Sequence, residues 1–214
     1  MKRFFCILIL AVSFLPLSAQ EDTQAKSILD QVSEKNRSYK SLIAEFSFSL
    51  DNKEEDIHEF SEGVIILKGN KYRLDLMETE TYFDGTTIYT YLKDAEEVNI
   101  KEPDEEEEEV LNPAKIFSIY ENGFKYKYLK DEQVNGKDLH VIDLFPVDLD
   151  KSFSRVRLKI DKKEMQISSM ITFGKDGNNI TIKVNKMTPN IELKDNDFIF
   201  DTQAHPNVEV VDMR

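Results

Sequence analysis

The segment LIAEFSFSLD, residues 42–51, decides the fold class. Every second position from Leu42 to Leu50 is apolar, and the alternate positions become polar from Glu45 onward. Because successive side chains of a strand point to opposite faces of a sheet, this pattern predicts a half-buried strand with one apolar face. Similar alternation recurs along the chain and predicts about eleven strands. The other candidate segments are 57–67, 71–76, 81–83, 86–91, 96–101, 124–128, 137–146, 155–160, 165–173 and 180–184.

Asparagine or aspartate precedes glycine at several points between these strands. Such pairs accept the positive φ of tight hairpin turns, and strands joined by short turns are antiparallel. The pairs are Asp84-Gly85, Asn122-Gly123, Asn135-Gly136 and Asp176-Gly177. One-sided alternation in so many strands predicts one large curved antiparallel sheet whose apolar face is covered.

Two helices are available to cover that face. Apolar residues from Ala25 to Val32 recur at helical spacing behind a capping Asp22 or Thr23. A second, shorter helix is predicted from Asn112 to Tyr120, with proline at its first position. Two modest helices cannot fill the concave side of such a sheet. Either the sheet closes and fills itself, or it retains a hydrophobic cavity.

The first 19 residues have the pattern of a secretory signal peptide. Lys2 and Arg3 precede the apolar run Phe4–Leu17, and small residues follow around Ala19. The run is shorter than the roughly 20 residues that span a bilayer. Cys6 stands at the start of the run, away from a lipid-attachment position, and as a single cysteine it excludes a disulfide framework. We therefore predict cleavage after residue 19, export, and one domain over residues 20–214.

The charge balance and the motif content exclude several function classes. The chain carries a net charge of −13, which disfavours binding to nucleic acid or to an anionic lipid surface. His58, His140 and His205 share no metal or triad spacing, and no nucleotide-binding, serine-hydrolase or zinc-protease motif occurs. We predict no catalytic residue, no metal and no cofactor. A pair of carboxylates concealed among the 41 acidic residues is the remaining enzyme alternative.

An acidic run, Asp104 to Glu109, precedes the second predicted helix. Such a run is most often a solvated loop. Collection of divalent cations and contact with a basic partner are the alternatives that the sequence leaves open.

The order of these features resembles the LolA family, the periplasmic carriers of outer-membrane lipoproteins. The hairpin FDGTTIYTY, Phe83–Tyr91, is similar to the family pattern DG-x-x-(L/I)-(W/Y)-x-Y, and the ending Phe198–Asp212 to F-x-F-x-x-P-x-G-V-x-V-x-D. The glycine-started strand Gly63–Lys68 and the helix at 112–120 stand where the family has a strand and its lid. Two features depart from the family: Gly69-Asn70 replaces the Arg-Pro thought to hold the lid closed, and the chain has no tryptophan.

The resemblance implies a mainly β fold, a half-open antiparallel barrel with short helices forming a lid over a hydrophobic cavity. It also implies a monomeric periplasmic carrier that moves acylated lipoproteins without covalent chemistry, from an inner-membrane ABC transporter to an outer-membrane acceptor. A lipid-sensing or scaffold module on the same fold is the alternative. The alternation predicts a cavity lined by Phe46, Phe48, Leu50, Tyr72, Leu74, Leu76, Ile88 and Tyr91, with Ile116, Phe117 and Tyr120 added by the lid.

Overall fold

A twelve-stranded sheet dominates the computed structural model, which describes residues 22–103 and 123–214. The predicted signal peptide, the acidic run and the predicted lid helix, with Ile116, Phe117 and Tyr120, lie outside the described residues. One α-helix precedes the sheet among the described residues, α1 (Thr23–Arg37). The strands are β1 (Leu42–Asn52), β2 (Ile57–Lys68), β3 (Lys71–Leu76), β4 (Thr79–Phe83), β5 (Ile88–Leu92), β6 (Glu97–Lys101), β7 (Phe124–Val134), β8 (Lys137–Pro146), β9 (Phe153–Asp161), β10 (Gln166–Gly174), β11 (Asn179–Pro189) and β12 (Glu209–Asp212).

The strands pair in the order β12-β6-β5-β4-β3-β2-β1-β11-β10-β9-β8-β7, and the two end strands do not pair with each other. The sheet is therefore open, and every pair except β12–β6 is antiparallel. At the β7–β8 turn, Asn135 and Gly136 both have positive φ, as the sequence predicts for a tight hairpin. The mainly β, half-open fold class is confirmed.

The short strand β12 is the element that the alternation pattern misses. It contains four residues and pairs in parallel with β6, from Glu209 beside Glu97 to Asp212 beside Ile100. A four-residue segment is too short for its alternation to be recognised. Parallel strands are not joined by a tight hairpin turn, so no turn motif marks this pair in the sequence.

Helix α1 begins where the sequence places its cap. The Asp22 carboxylate accepts hydrogen bonds from the backbone N–H groups of Gln24 and Ala25, at 3.1 and 3.0 Å. Its other oxygen accepts one from the backbone N–H of Tyr128 on β7, at 2.8 Å. The helix buries the predicted stripe, from Ala25 to Val32, against β7 and β10. One carboxylate thus caps the helix and holds it to the last strand of the sheet.

The two faces of the sheet carry different layers. On the inner face, residues of α1 form one apolar cluster with residues of β1, β2, β3, β8, β9 and β10. On the outer face, the C-terminal segment crosses β3 to β6, and Phe200 packs there with Tyr82, Val98 and Ile100 in a second cluster. No helix of the described residues has both the length and the apolar character needed to cross a membrane.

The apolar inner face as the candidate binding site

The aromatic ring of Phe46 lies on the backbone of β2. Phe46 pairs with Gly63 across β1 and β2, and a Cβ on Gly63 would come within 2.6 Å of Phe46 Cζ and 2.9 Å of the Asp75 carbonyl oxygen. Only glycine leaves room for the ring at this position. Phe46 is 7% exposed and therefore belongs to the packed part of the inner face.

Phe48 and Leu50 continue the inner face along β1. They follow Phe46 at intervals of two, so all three side chains point the same way. Phe48 packs against the inner apolar cluster while keeping part of its ring exposed. The side chain of Leu50 is also half-buried. Phe48 and Leu50 are therefore more exposed than Phe46, while Asn52 at the end of the strand is buried again.

Strand β3 brings three more of the predicted residues to the same face. Residue pairing places Leu76 beside Gly63, Leu74 beside Ile65 and Tyr72 beside Leu67. Directly paired residues of an antiparallel ladder share a face, and Gly63 and Ile65 pair with Phe46 and Ala44 of β1. Tyr72 is buried, whereas Leu74 and Leu76 are half-buried.

Ile88 joins this face through β4. Phe83 pairs with both Tyr72 and Ile88, which places the three side chains in one row. Sequence reasoning missed Phe83, and it also missed Ile65 and Leu67, which extend the face across β2. The alternation of β2 could have identified Ile65 and Leu67. A hairpin between β3 and β4 would have placed Phe83 beside Tyr72, on the same face.

Tyr91 is not part of the inner face, so the prediction for this residue is wrong. It pairs with Glu80 and Val98 on the outer face, and its ring lies 5.0 Å from that of Phe200 and 4.9 Å from that of His205. Ile88 and Tyr91 are three positions apart in one strand, and an odd separation places two side chains on opposite faces.

Helix α1 covers only one part of the inner face. Its main contacts are to β7 and β10, although its buried residues belong to the same apolar cluster as residues of β1, β2, β8, β9 and β10. Phe48, Leu50, Leu74, Leu76 and Ile88 lie on the other part, and all are half-buried. We call these five residues the apolar wall. Among the described residues no helix other than α1 lies on the inner face.

A row of polar side chains borders the apolar wall. Leu74 pairs with Thr81, Thr81 with Thr90, and Thr90 with Asn99. These residues share the inner face, and the Asn99 amide donates to the Glu97 carboxylate at 2.7 Å. The face therefore changes from apolar to hydrogen-bonding between β3 and β6, as a surface for an amphipathic molecule requires.

A separate recess lies between α1 and β7. It has a volume of about 450 Å³, and its lining includes Leu29, Ser33 and Tyr126 together with charged side chains of the helix, Lys26, Asp30, Glu34 and Arg37. Lys26 and Asp30 form an ion pair at 2.9 Å across part of its rim. The charged lining makes this recess unsuited to acyl chains, in contrast to the apolar wall.

An ionic network supports the sheet behind the wall, on the outer face. Arg73 donates to Glu80 at 2.9 Å, and Tyr82 donates to the same carboxylate. Burial, followed by the bond to Glu80, raises the pKa of Tyr82. Burial alone would raise the pKa of Glu80, but the hydrogen bond from Tyr82 and the positive charges of Arg73 and Lys93 lower it. Glu80 is thereby kept ionised and fully paired.

The histidines do not assemble a catalytic arrangement. His58 contacts Asp51 at 2.8 Å, and the Ser49 hydroxyl donates to the same carboxylate at 3.4 Å rather than to the imidazole. His140 contacts Asp131 at 3.0 Å, and His205 stacks on Phe200. Within residues 22–103 and 123–214, no group of three or more histidine, cysteine, aspartate or glutamate side chains is placed to hold a metal ion.

Two solved structures with TM-scores above 0.5 support the fold. An uncharacterized conserved protein from Thermus thermophilus is 12% identical, with a TM-score of 0.59 over 88% of this chain and 99% of that one. LprF from Mycobacterium bovis is 13% identical, with a TM-score of 0.51 over 81% of this chain and 96% of that one. A putative outer membrane lipoprotein-sorting protein domain from Vibrio parahaemolyticus is 14% identical, with a TM-score of 0.47 over 83% and 97%.

The sequence comparison identifies the family. No curated protein matches the chain significantly. The sequence profile described as outer membrane lipoprotein carrier protein LolA matches residues 15–175, well over half of the chain. The pairing of α1 with an open antiparallel sheet and an apolar inner face agrees with that match. The chain belongs to the LolA family.

Proposed function

We propose that the protein is a periplasmic carrier that binds the acyl chains of lipoproteins on the apolar wall and moves them from the inner to the outer membrane. The observation that carries the proposal is the wall itself: five large apolar side chains on β1, β3 and β5, all half-buried and outside the main contacts of α1. A packed core would bury them fully, as the sheet does with Ile142, Leu144 and Leu158.

The energetics require such a wall and no covalent chemistry. A sixteen-carbon acyl chain has about 15 methylenes, and at roughly 0.8 kcal/mol each its exposure to water costs about 12 kcal/mol. Cargo with more than one chain multiplies this figure, so unassisted transfer through water is negligible. Phenylalanine and leucine side chains remove methylenes from water without fixing their positions, which suits chains of different length.

The polar row gives the bound molecule a direction. Thr81, Thr90 and Asn99 present hydroxyl and amide groups beside the wall, and the polar attachment of an acyl chain can hydrogen-bond to them. Acyl chains would lie on the wall, while the attached protein would extend past β6. Release then needs only a small loss of contact, because the wall keeps part of its surface exposed.

The proposal includes export and two partners. The signal-like residues 1–19 would direct the chain to the periplasm. An inner-membrane lipoprotein-releasing ABC transporter would supply the cargo, and an outer-membrane acceptor would receive it. These partners come from membership of the family, whose profile description names a lipoprotein carrier.

A matched pair of substitutions tests the proposal. Phe48 lies on the inner face and Phe60 on the outer face, where it is 68% exposed. Phe48→Glu places a carboxylate against the acyl chain and displaces two or three methylenes, about 2 kcal/mol or roughly a thirtyfold loss of affinity. Phe60→Glu makes the same chemical change away from the wall. Affinity is measured by fluorescence titration with a dipalmitoylated lipopeptide, and folding by circular dichroism.

The proposal predicts a loss for Phe48→Glu and no change for Phe60→Glu. If both variants fold and bind the lipopeptide with equal affinity, the apolar wall is not the binding site. If the wild-type protein takes up free phospholipid but no lipopeptide, the lipid-sensing alternative replaces the carrier.

A further inference from the structure

The outer face of β7 to β11 is basic, although the chain as a whole carries a net charge of −13. Pairing across these strands aligns the outward residues in rows; one row joins Ile171, Arg157, Asp143 and Lys127. The rows through Arg155, Arg157 and Lys159 contain cations, whereas the row of Gln166, Asp161, Leu139 and Glu132 carries two carboxylates. The set that we call the basic face consists of Lys125, Lys127, Arg155, Arg157, Lys159 and Lys183.

Two of these six cations are neutralised within the sheet. Arg157 donates to both oxygens of Asp143 at 2.7 and 2.9 Å, and Lys159 donates to Glu132 at 2.9 Å. Arg155 lies 3.8 Å from Asp143, which Arg157 already occupies. The basic face therefore retains an excess of positive charge.

The remaining cations are available to an external anion. Lys125, Lys127 and Lys183 are exposed, and no ion pair joins them to a carboxylate of the described residues. The backbone hydrogen bond from Ala25 lowers the pKa of Asp22, and the charge of Lys127 contributes to this lowering. The Arg155 guanidinium lies over the Phe173 ring, 4.0 Å from its centroid; its Nε is buried, while the side chain as a whole is 37% exposed. Next to this pair Phe145 is 38% exposed. Long basic side chains thus alternate with aromatic surface.

We propose that the basic face docks the protein onto an anionic phospholipid bilayer. Clusters of lysine and arginine bind such bilayers with about 1 kcal/mol per residue near the surface. The cations here are distributed over β7, β9 and β11, and none of them lines either of the two recesses found along α1. A fluid bilayer needs no shape complementarity, because its lipids diffuse to the cations; an acidic protein would need a matching surface.

The acidic remainder of the chain does not prevent this docking. Packed layers lie about 10 Å apart, which is about one Debye length at physiological ionic strength. Carboxylates on the inner side are therefore largely screened from the bilayer. The net charge describes the average of the molecule, whereas the bilayer meets only one face.

This inference does not depend on acyl binding, because the basic face lies on β7, β9 and β11 and the apolar wall on β1, β3 and β5, so their substitutions are separate.

Co-sedimentation of the full-length protein with vesicles tests the proposal. The vesicles contain either phosphatidylcholine alone or phosphatidylcholine with about a third phosphatidylglycerol. The test variant is Lys125→Glu with Lys127→Glu and Lys183→Glu, and the control is Lys40→Glu with Lys53→Glu and Lys163→Glu, which makes the same charge change at exposed positions elsewhere. All proteins carry the same N-terminus, so its contribution cancels.

The expected result is tighter binding to the anionic vesicles, about a hundredfold weaker partition in the test variant, and a much smaller change in the control. Raising the salt concentration from about 0.1 to 1 M should remove the difference in binding between the test variant and the control variant. Equal partition to both vesicle types, or equal losses in the two variants, would overturn the proposal. Binding of poly-glutamate through the basic face, without binding to anionic vesicles, would overturn it in favour of an acidic protein partner.

Discussion

Replacement of Gly63 by alanine tests the close approach on which the inner face is built. The added Cβ would lie 2.6 Å from Phe46 Cζ and 2.9 Å from the Asp75 carbonyl oxygen, whereas carbon atoms in contact are about 3.5–4.0 Å apart. The ring must move by about 1 Å, and β3 must move with it because the second contact is to backbone. Overpacking of this kind costs about 1–3 kcal/mol.

The expected net effect is smaller than that cost. Alanine restricts the unfolded chain more than glycine does, which stabilises the folded state by about 0.5–1 kcal/mol and offsets part of the cost. We expect Gly63→Ala to destabilise the fold by about 1–2 kcal/mol, a fall in Tm of about 2–8 °C for a domain of this size. Urea unfolding followed by circular dichroism measures the free energy, and calorimetry measures the Tm.

A double-mutant cycle shows whether Phe46 is the cause. Phe46→Leu removes the ring atom that clashes, so Gly63→Ala should cost at least about 0.5 kcal/mol less in that background. The contact with Asp75 remains and keeps part of the cost. An alanine variant as stable as the wild type, or strictly additive effects in the cycle, would refute the placement of the Phe46 ring over Gly63.

Three further predictions concern elements around the site. Asp22→Ala removes the cap of α1 and its link to Tyr128, and should lower the free energy of unfolding in urea by about 1–2 kcal/mol. Asp22→Asn keeps an oxygen that can cap the helix and should lose much less stability. The pKa of Glu80 is lower in the folded state than in the unfolded state. Its ionised form therefore stabilises the fold above the unfolded-state pKa, and this stabilisation is lost as the pH falls through the folded-state pKa. We expect the Tm to fall on acidification from about pH 6 to pH 3, and to fall less steeply in Glu80→Gln. Phe200→Ala, which empties a buried position on the outer face, should cost about 3–5 kcal/mol and speed amide exchange in residues 195–212.

The alternation of single strands predicted most of the wall because it depends only on local spacing. In β3, and in β1 from Ala44 onward, each apolar residue is followed by a more polar one. Phe48 and Leu50 are therefore assigned to one face of β1, and Leu74 and Leu76 to one face of β3, without knowledge of the register. The same rule applied strictly to β5 would have separated Ile88 from Tyr91. That strand is apolar on both sides, since the C-terminal segment covers its outer face.

The charge of the outer face could not be predicted from composition. Asp143 and Arg157 are 14 residues apart in sequence and Arg157 and Phe173 a further 16, and only the pairing of β8, β9 and β10 brings them together. The chain carries a net charge of −13, whereas this face carries an excess of positive charge. Long-range register, rather than local pattern, decides which charges become neighbours.

Native mass spectrometry of the protein isolated from cells that export it tests the central claim most directly. Collisional release of the bound species in the gas phase identifies the cargo, and uptake of an added dipalmitoylated lipopeptide measures the capacity of the wall. The account predicts adducts whose masses match acylated proteins, and their loss in Phe48→Glu but not in Phe60→Glu. A clean mass of the protein alone, with no uptake of the offered lipopeptide, would contradict it.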